Sequence, residues 1–184
     1  GQGTWGSYNT VNTHTNKSQE VPSVTVLNNG GFIIAWMSDG QDGHRYGVFA
    51  QRYDVGGDTI GSEFQVNTYT LWDQFGPSTA ALSGGGFVVT WPSETQEGIF
   101  AQRYDANGNA IGAEFRVNSE PADINHPDTV GLSDGGFVVA WMSYDQDRNF
   151  NGIYGRRFDS NGDASGTEFQ VNTYKTKNQQ GVST

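Results

Sequence analysis

The sequence predicts an all-β fold, a β-propeller-like array of three four-stranded blades, and two observations carry that prediction. The first is internal repetition. The phrase Gly-Gly-Phe-aliphatic-aliphatic-x-Trp stands at residues 30–36, 85–91 and 135–141. Each copy is followed by Gln-Arg-Tyr-Asp or a close variant at 51–54, 102–105 and 156–159, and each unit closes on Glu-Phe-x-Val-Asn at 63–67, 114–118 and 168–172. A repeat of about 50 residues fixes the architecture before any propensity argument begins. The second observation is that the Phe…Trp strand is apolar on both faces. Phe32, Ile34 and Trp36 lie on one side, with Ile33 and Ala35 on the other. Such a strand is sandwiched between layers rather than half-exposed. Small sheets stacked face to face follow the logic of a propeller; the alternative with three four-stranded repeats is a β-trefoil.

In chain order, residues 23–27 read as strand A of the first unit and 28–31 (Asn-Asn-Gly-Gly) as a tight turn. Strand B follows at 32–37, rich in aromatic and β-branched residues. Strand C is expected at 47–53, a second turn at 54–57 and strand D at 63–66. The same reading applies throughout units 21–67, 77–118 and 127–172 of a single repeat domain, 1–184. Residues 1–13 are expected to be the last strand of a preceding unit, from the match of 11–13 to a strand-D ending, and 182–184 the start of a next one. Three blades fall below the usual closed count, so either the array continues or a homo-oligomer closes the ring.

Spacing separates scaffold from variable parts. The distance from the strand-B Phe to its Trp is four residues in every copy, and that from the turn Asp (54, 105, 159) to the strand-D Phe (64, 115, 169) is ten. From Trp to Arg across the B–C loop it is 16, 12 and 16. The A–B and C–D turns are therefore uniform, whereas the B–C and D–A loops on the opposite rim are diversified, which is where a rigid scaffold usually carries its binding residues.

Composition narrows the function classes. With a formal net charge of −10 and only 10 Lys and Arg, the chain lacks the basic clusters that a phosphate backbone requires. No apolar run approaches the length of a membrane span. Cysteine is absent, which removes disulfides, thiol catalysis and Cys-based zinc sites. The 26 glycines give a turn-dense reading, and 5 Trp, 8 Tyr and 11 Phe at regular positions argue against disorder.

The repeated text resembles units of large secreted bacterial proteins of the RTX (haemolysin-type calcium-binding) and cadherin-like adhesin kind, from Val11 to Thr173. That resemblance implies a secreted or cell-surface location, calcium-rich surroundings and contact with polysaccharide. It brings no catalytic residues, and the nonapeptide calcium repeat of RTX domains is absent.

Candidate chemistry gathers on the diversified rim. Asp39 and Asp42 in one B–C loop, and Asp145, Asp147 and Asn149 in another, place oxygen side chains at the alternating spacing used for hard cations, with calcium the ion implied. The competing reading is that Asp and Gly simply build polar turns. Aromatic and basic residues outside the repeat core suit a glycan: Tyr69, Trp72 and Phe75 in a D–A loop, with His44, Arg45, Tyr46, Tyr144, Arg148 and Phe150 in B–C loops. Sugar rings stack their C–H faces on aromatics while amides and carboxylates take the hydroxyls. Arg52, Arg103 and Arg157 recur with the scaffold and are expected to pair with the recurring Glu63, Glu114 and Glu168 or to stack on the tryptophans, rather than to form an anion-binding ring. His14, His44 and His126 occupy unrelated positions and no nucleophile elbow or metalloprotease motif occurs, so no enzyme is expected. The expectation is a lectin-like propeller module, with calcium as the assisting ion. A structural or self-associating adhesin segment is the alternative, and glycan cleavage is the least favoured reading.

Overall fold

The structure, a computed structural model, describes residues 10–121, 123–144 and 151–173. Three four-stranded antiparallel sheets follow one another, each with its strands in chain order. The first holds β1 (Gln19–Val26), β2 (Phe32–Asp39), β3 (Tyr46–Tyr53) and β4 (Thr59–Gln65). The second holds β5 (Ser78–Ala81), β6 (Phe87–Ser93), β7 (Gly98–Tyr104) and β8 (Ala110–Arg116). The third holds β9 (Asp123–Gly131), β10 (Phe137–Tyr144), β11 (Asn151–Phe158) and β12 (Phe169–Gln170). Every repeat keeps its own sheet and the first strands pack on one another, β1 on β5 and β5 on β9. These are propeller blades, and the trefoil alternative is set aside. Among the described residues no helix is long and apolar enough to cross a membrane.

The recurring phrase now has a physical account. Its first glycine (30, 85, 135) sits at φ +84, +94 and +92, a left-handed conformation that disfavours a Cβ. Its second glycine approaches the end of strand C so closely that a Cβ on Gly86 would lie 2.1 Å from the Tyr104 carbonyl oxygen. The Phe then stacks on the cross-strand aromatic of strand C: Phe32 on Tyr53 (centroids 4.8 Å), Phe87 on Tyr104 (4.7 Å) and Phe137 on Phe158 (4.9 Å).

Each blade thus has a front face, carrying Phe, an aliphatic and Trp, and a back face of smaller residues. The core consists of two slabs between blades. Ile33, Ala35, Val48, Ala50 and Val66 on the back of blade one bury against Phe87, Val89, Trp91 and Tyr104 on the front of blade two. The next joint repeats this with Val88, Ile99, Ala101 and Val117 against Phe137, Val139, Trp141 and Phe158. The strand-D aromatics reach across each joint, Phe64 tilting onto Tyr104 and Phe115 onto Phe158.

Strand D differs from expectation. It starts at Thr59 and Ala110, directly after the turn, and is interrupted by a glycine at φ +72 (Gly61) or +70 (Gly112). The irregularity is held by a buried glutamine of strand C. Gln51 Nε2 donates to the carbonyls of Arg52, Ile60 and Gly61, and Gln102 does the same at Arg103, Ile111 and Gly112. In blade three this position is Arg156, which turns away to the Val117 carbonyl (2.8 Å). Strand D is there reduced to one bridge at Ala164 and the two residues of β12.

Hydrogen bonds fasten the blades together. Arg52 donates to the carbonyls of Ala106 (2.8 Å) and Asn107 in the next blade's C–D turn, and Arg103 to those of Ser160 and Asn161. The expected pairing with Glu63, Glu114 and Glu168 is therefore corrected, because those carboxylates serve a different contact. The backbone N–H of Thr13, Thr68 and Ser119, one residue beyond a strand-D Asn, donates to Glu63, Glu114 and Glu168 of the following blade. Asn12 behaves as Asn67 and Asn118 do, donating to the carbonyl two residues on.

Candidate functional site

Among the described residues, the D–A segment of residues 68–76 is tied by its contacts to both neighbouring blades at the rim opposite the A–B and C–D turns. Its fixed point is Gln74, fully buried, whose carbonyl oxygen accepts from Asn67 Nδ2 (3.1 Å) and whose amide donates to the Leu71 carbonyl (3.0 Å). Backbone bonds then stitch the segment to both neighbouring blades. Gln74 N–H donates to the Tyr46 carbonyl, Phe75 N–H to that of Pro92, and Glu94 N–H to that of Asp73.

A cavity of about 450 Å³ opens beside this segment, with contributions from every blade. Met37, Pro92 and Phe75 give it apolar walls, Tyr46 gives an amphipathic one, and Asp73 and Asp128 supply carboxylates. Tyr46 begins β3 because its N–H reaches Asp73 Oδ1 (3.3 Å) while its carbonyl takes Gln74. Its phenol is pushed above the ordinary value of 10.0 chiefly by Glu20, then by burial and by Asp39 and Asp73, with Arg45 opposing. Tyr46 therefore stays protonated at neutral pH, able both to donate and to accept.

Trp72, next in sequence to the cavity-lining Asp73, is 57% exposed and lies at φ +62, a left-handed conformation unusual for a bulky residue. Arg45 lies over its ring (5.9 Å to the centroid) and pairs with Asp73 at 3.3 Å. That pair is partly solvated, so it orients Asp73 more than it stabilises the fold.

Of the residues singled out in the sequence, Tyr46 and Phe75 line the cavity, and Trp72 and Arg45 flank it through Asp73. Three stand apart: Tyr69 is half-buried and offers its carbonyl to Asn67, His44 is exposed, and Tyr144 is exposed at the end of β10. Arg148 and Phe150 lie outside the described residues, as do Asp145, Asp147 and Asn149. The remaining calcium candidates do not converge. Asp39 pairs with Lys17 (3.2 Å), whereas Asp42 accepts the His44 N–H (3.0 Å) and packs on Gly47. Among the described residues no three His, Cys, Asp or Glu side chains gather as metal ligands would. Sequence reasoning missed Asp73 and Asp128. Asp128 had a usable signal, since it stands where the other units carry Ser23 and Ser78.

Solved structures share this architecture. A Hadza microbial sialidase matches with a TM-score of 0.60 at 15% identity, over 84% of this chain and 37% of its own. An α-L-arabinofuranosidase from Lactobacillus brevis matches with a TM-score of 0.60 at 11% identity, over 91% and 61%. A neuraminidase-like protein of A/little yellow-shouldered bat/Guatemala gives 0.52 at 11% identity, over 85% and 44%. The chain spans less than two thirds of the length of each, and identities this low establish the fold alone. No protein-family model matches the sequence, and no curated protein does.

These likenesses overturn the expectation of a non-enzymatic module, because the fold is one that proteins named as enzymes use. The expectation had rested on the lack of a contiguous catalytic motif. On a propeller rim, groups from separate blades meet in space, as Tyr46, Asp73 and Asp128 do at this cavity, so contiguity is no requirement.

Proposed function

We propose that this chain is a glycan-engaging propeller segment whose sugar site is the cavity where the rims of its three blades meet. The observation that carries the reading is the composition of that cavity: apolar and aromatic walls from Met37, Pro92, Phe75 and Tyr46, with the carboxylates of Asp73 and Asp128 in the same lining. This is the mixture that suits a sugar ring, whose faces are apolar and whose edge is polar. Further support comes from the proteins of similar fold, whose names refer to sialic acid and arabinofuranose chemistry. Trp72 and Arg45, joined to the cavity wall through Asp73, would extend contact to a second sugar unit.

Lectin-like retention of polysaccharide, calcium assistance and a secreted or cell-surface location belong to the same proposal, as the repeat's resemblance implies. The test is a glycan array run with and without calcium, alongside a panel of fluorogenic glycosides to read cleavage. Binding or turnover that falls at least about tenfold in Phe75→Ala and in Tyr46→Ala, with unchanged melting, is the expected result. If the intact protein neither binds nor cleaves any member of either panel, the proposal fails. Equal binding after chelation would remove calcium from it.

A further inference from the structure

We propose that the sugar taken by this cavity carries a free ammonium group, so that the ligand class is an amino sugar, as in de-N-acetylated chitin, and neither a uronic nor a sialic acid. That assignment rests on the glycan reading of the same cavity and adds the charge of the unit selected.

Both carboxylates of the lining are additions to the repeat. Asp128 stands where the other units carry Ser23 and Ser78, whose hydroxyls accept the N–H of Thr79 and Thr129 in the next blade (both 3.1 Å). Asp73 has its equivalent in the segment before β1, fixed by two bonds that recur. The Asp39 N–H donates to the Ser18 carbonyl (2.9 Å) as the Glu94 N–H does to that of Asp73 (3.1 Å). Asn12 Nδ2 donates to Gln19 Oε1 (2.9 Å) as Asn67 Nδ2 does to Gln74 Oε1 (3.1 Å). Ser18 therefore occupies the place of Asp73, and Glu20 that of Phe75. The same backbone forms with serine at either place, so the fold makes no demand for these charges.

The charge balance at the cavity is negative. Asp73 and Asp128 stand in the lining, and Glu20, next to the lining Val21, has the largest effect on the Tyr46 phenol and raises it. Arg45 sets one guanidinium against these three carboxylates, through its pair with Asp73 (3.3 Å). Asp39, which also acts on Tyr46, is offset by Lys17 (3.2 Å). Among the described residues the lining itself contains no Lys, Arg or His.

Apolar walls make that charge count. Met37, Phe75, Pro77, Pro92 and Pro127 lower the local dielectric, so the carboxylates act more strongly here than on open surface. An anionic ring would enter against their field. An ammonium substituent instead gains a charge-assisted hydrogen bond from a carboxylate. The walls meanwhile take the C–H face of the ring, a contact that a bare inorganic cation would leave unused.

Calorimetric titration of the whole chain at about pH 6, where a sugar amine is protonated, tests this with matched oligomers of glucosamine, N-acetylglucosamine and galacturonic acid. The glucosamine oligomer is expected to bind at least about tenfold more tightly than the N-acetylated one, the factor of one hydrogen bond to a charged group, with the galacturonate weakest. Asp73→Asn and Asp128→Asn, which keep the side-chain shape, should each reduce that ratio at least about threefold with unchanged melting. Asp128→Ser, the residue of the other units, should do the same. Asp58→Asn, at an exposed position in a turn of the opposite rim, should leave the ratio as it is. That control separates the cavity from attraction of a polycation to a chain of net charge −10. Equal or tighter binding of the N-acetylated oligomer overturns the amine assignment and leaves the glycan reading standing, as does a ratio that falls equally in Asp58→Asn. If none of the three oligomers binds, the amine assignment also fails, and the glycan reading is decided separately by its array and glycoside panels.

Discussion

Trp72 is held where few large side chains settle. A left-handed backbone costs a non-glycine residue roughly 1–2 kcal/mol, and such strain concentrates at functional positions. Replacing Trp72 by glycine should therefore raise stability by about 1 kcal/mol in denaturant melts while reducing glycan retention, so that the two readouts move in opposite directions. If both fell together, Trp72 would be a packing residue instead. Asp105 is a second informative residue. Its carboxyl is held below the ordinary 3.8 chiefly by the Asn109 side chain, then by the Asn109 backbone N–H; burial opposes them, and the N–H groups of Asn107 and Gly108 add to the lowering. A lowered folded value contributes stability that is present above the ordinary value and is lost as pH falls through the folded one. Asp105→Asn should accordingly melt below the parent at neutral pH, with the gap closing in acid. The Asp of this turn was readable from the sequence because Asn-Gly after Asp marks a turn with a known mechanism. Asp73 was not, since its importance comes from Tyr46 and Glu94, which lie in other blade elements.

At the scale of elements, the C–D turns provide an internal control. Gly57 and Gly108 share nearly the same φ, +88 and +86, yet only Gly108 lies under an arginine, 2.6 Å from where its Cβ would stand to Arg52 Nη1. Alanine at Gly57 should cost about 1–2 kcal/mol, the backbone penalty alone. Alanine at Gly108 should cost more, and Arg52→Ala in the same chain should remove the excess, as a double-mutant cycle would record. Strand D offers a further check. With Gln102 exchanged for Arg, the carbonyls of Ile111 and Gly112 lose their donor, and hydrogen exchange across residues 110–116 should quicken toward that of residues 164–170 in the parent. Strands B and C of the first two units were legible to within two residues, B because it is apolar on both faces and C because its Phe-Ala-Gln-Arg-Tyr text recurs in both. Strand D was cut short in the sequence reading because its first half is polar and glycine-bearing. What holds it is a glutamine from a strand elsewhere in the unit.

At the scale of the whole molecule, repetition makes three stacked blades legible in the sequence alone. The likeness of the fold to a sialidase and an arabinofuranosidase was not visible, because identities of 15% and 11% leave no shared text to recognise. The cavity was only half visible. Its aromatics depart from the repeat and so attract notice, but its convergence depends on three rims curving toward one place. A repeat array in which each unit touches only its neighbours derives its stability from units and from joints in sequence. Damage to one joint should then loosen the protein locally, in the slab it belongs to, before the other slab yields.

The arginine fastening bears on how such a chain grows. Donor and acceptor belong to the same repeat, with the arginine of strand C reaching forward and the turn just after it receiving from behind. A whole unit copied into the gene between any two others would therefore arrive with both halves of the fastening already encoded, and neither neighbour would need to change. Lengthening by complete units preserves every joint, whereas a cut within a unit breaks a sheet and two joints at once. Duplicating residues 77–126 in tandem should give a four-blade protein that melts no lower than its parent, a design rule written into the spacing of Arg103 and Asp105.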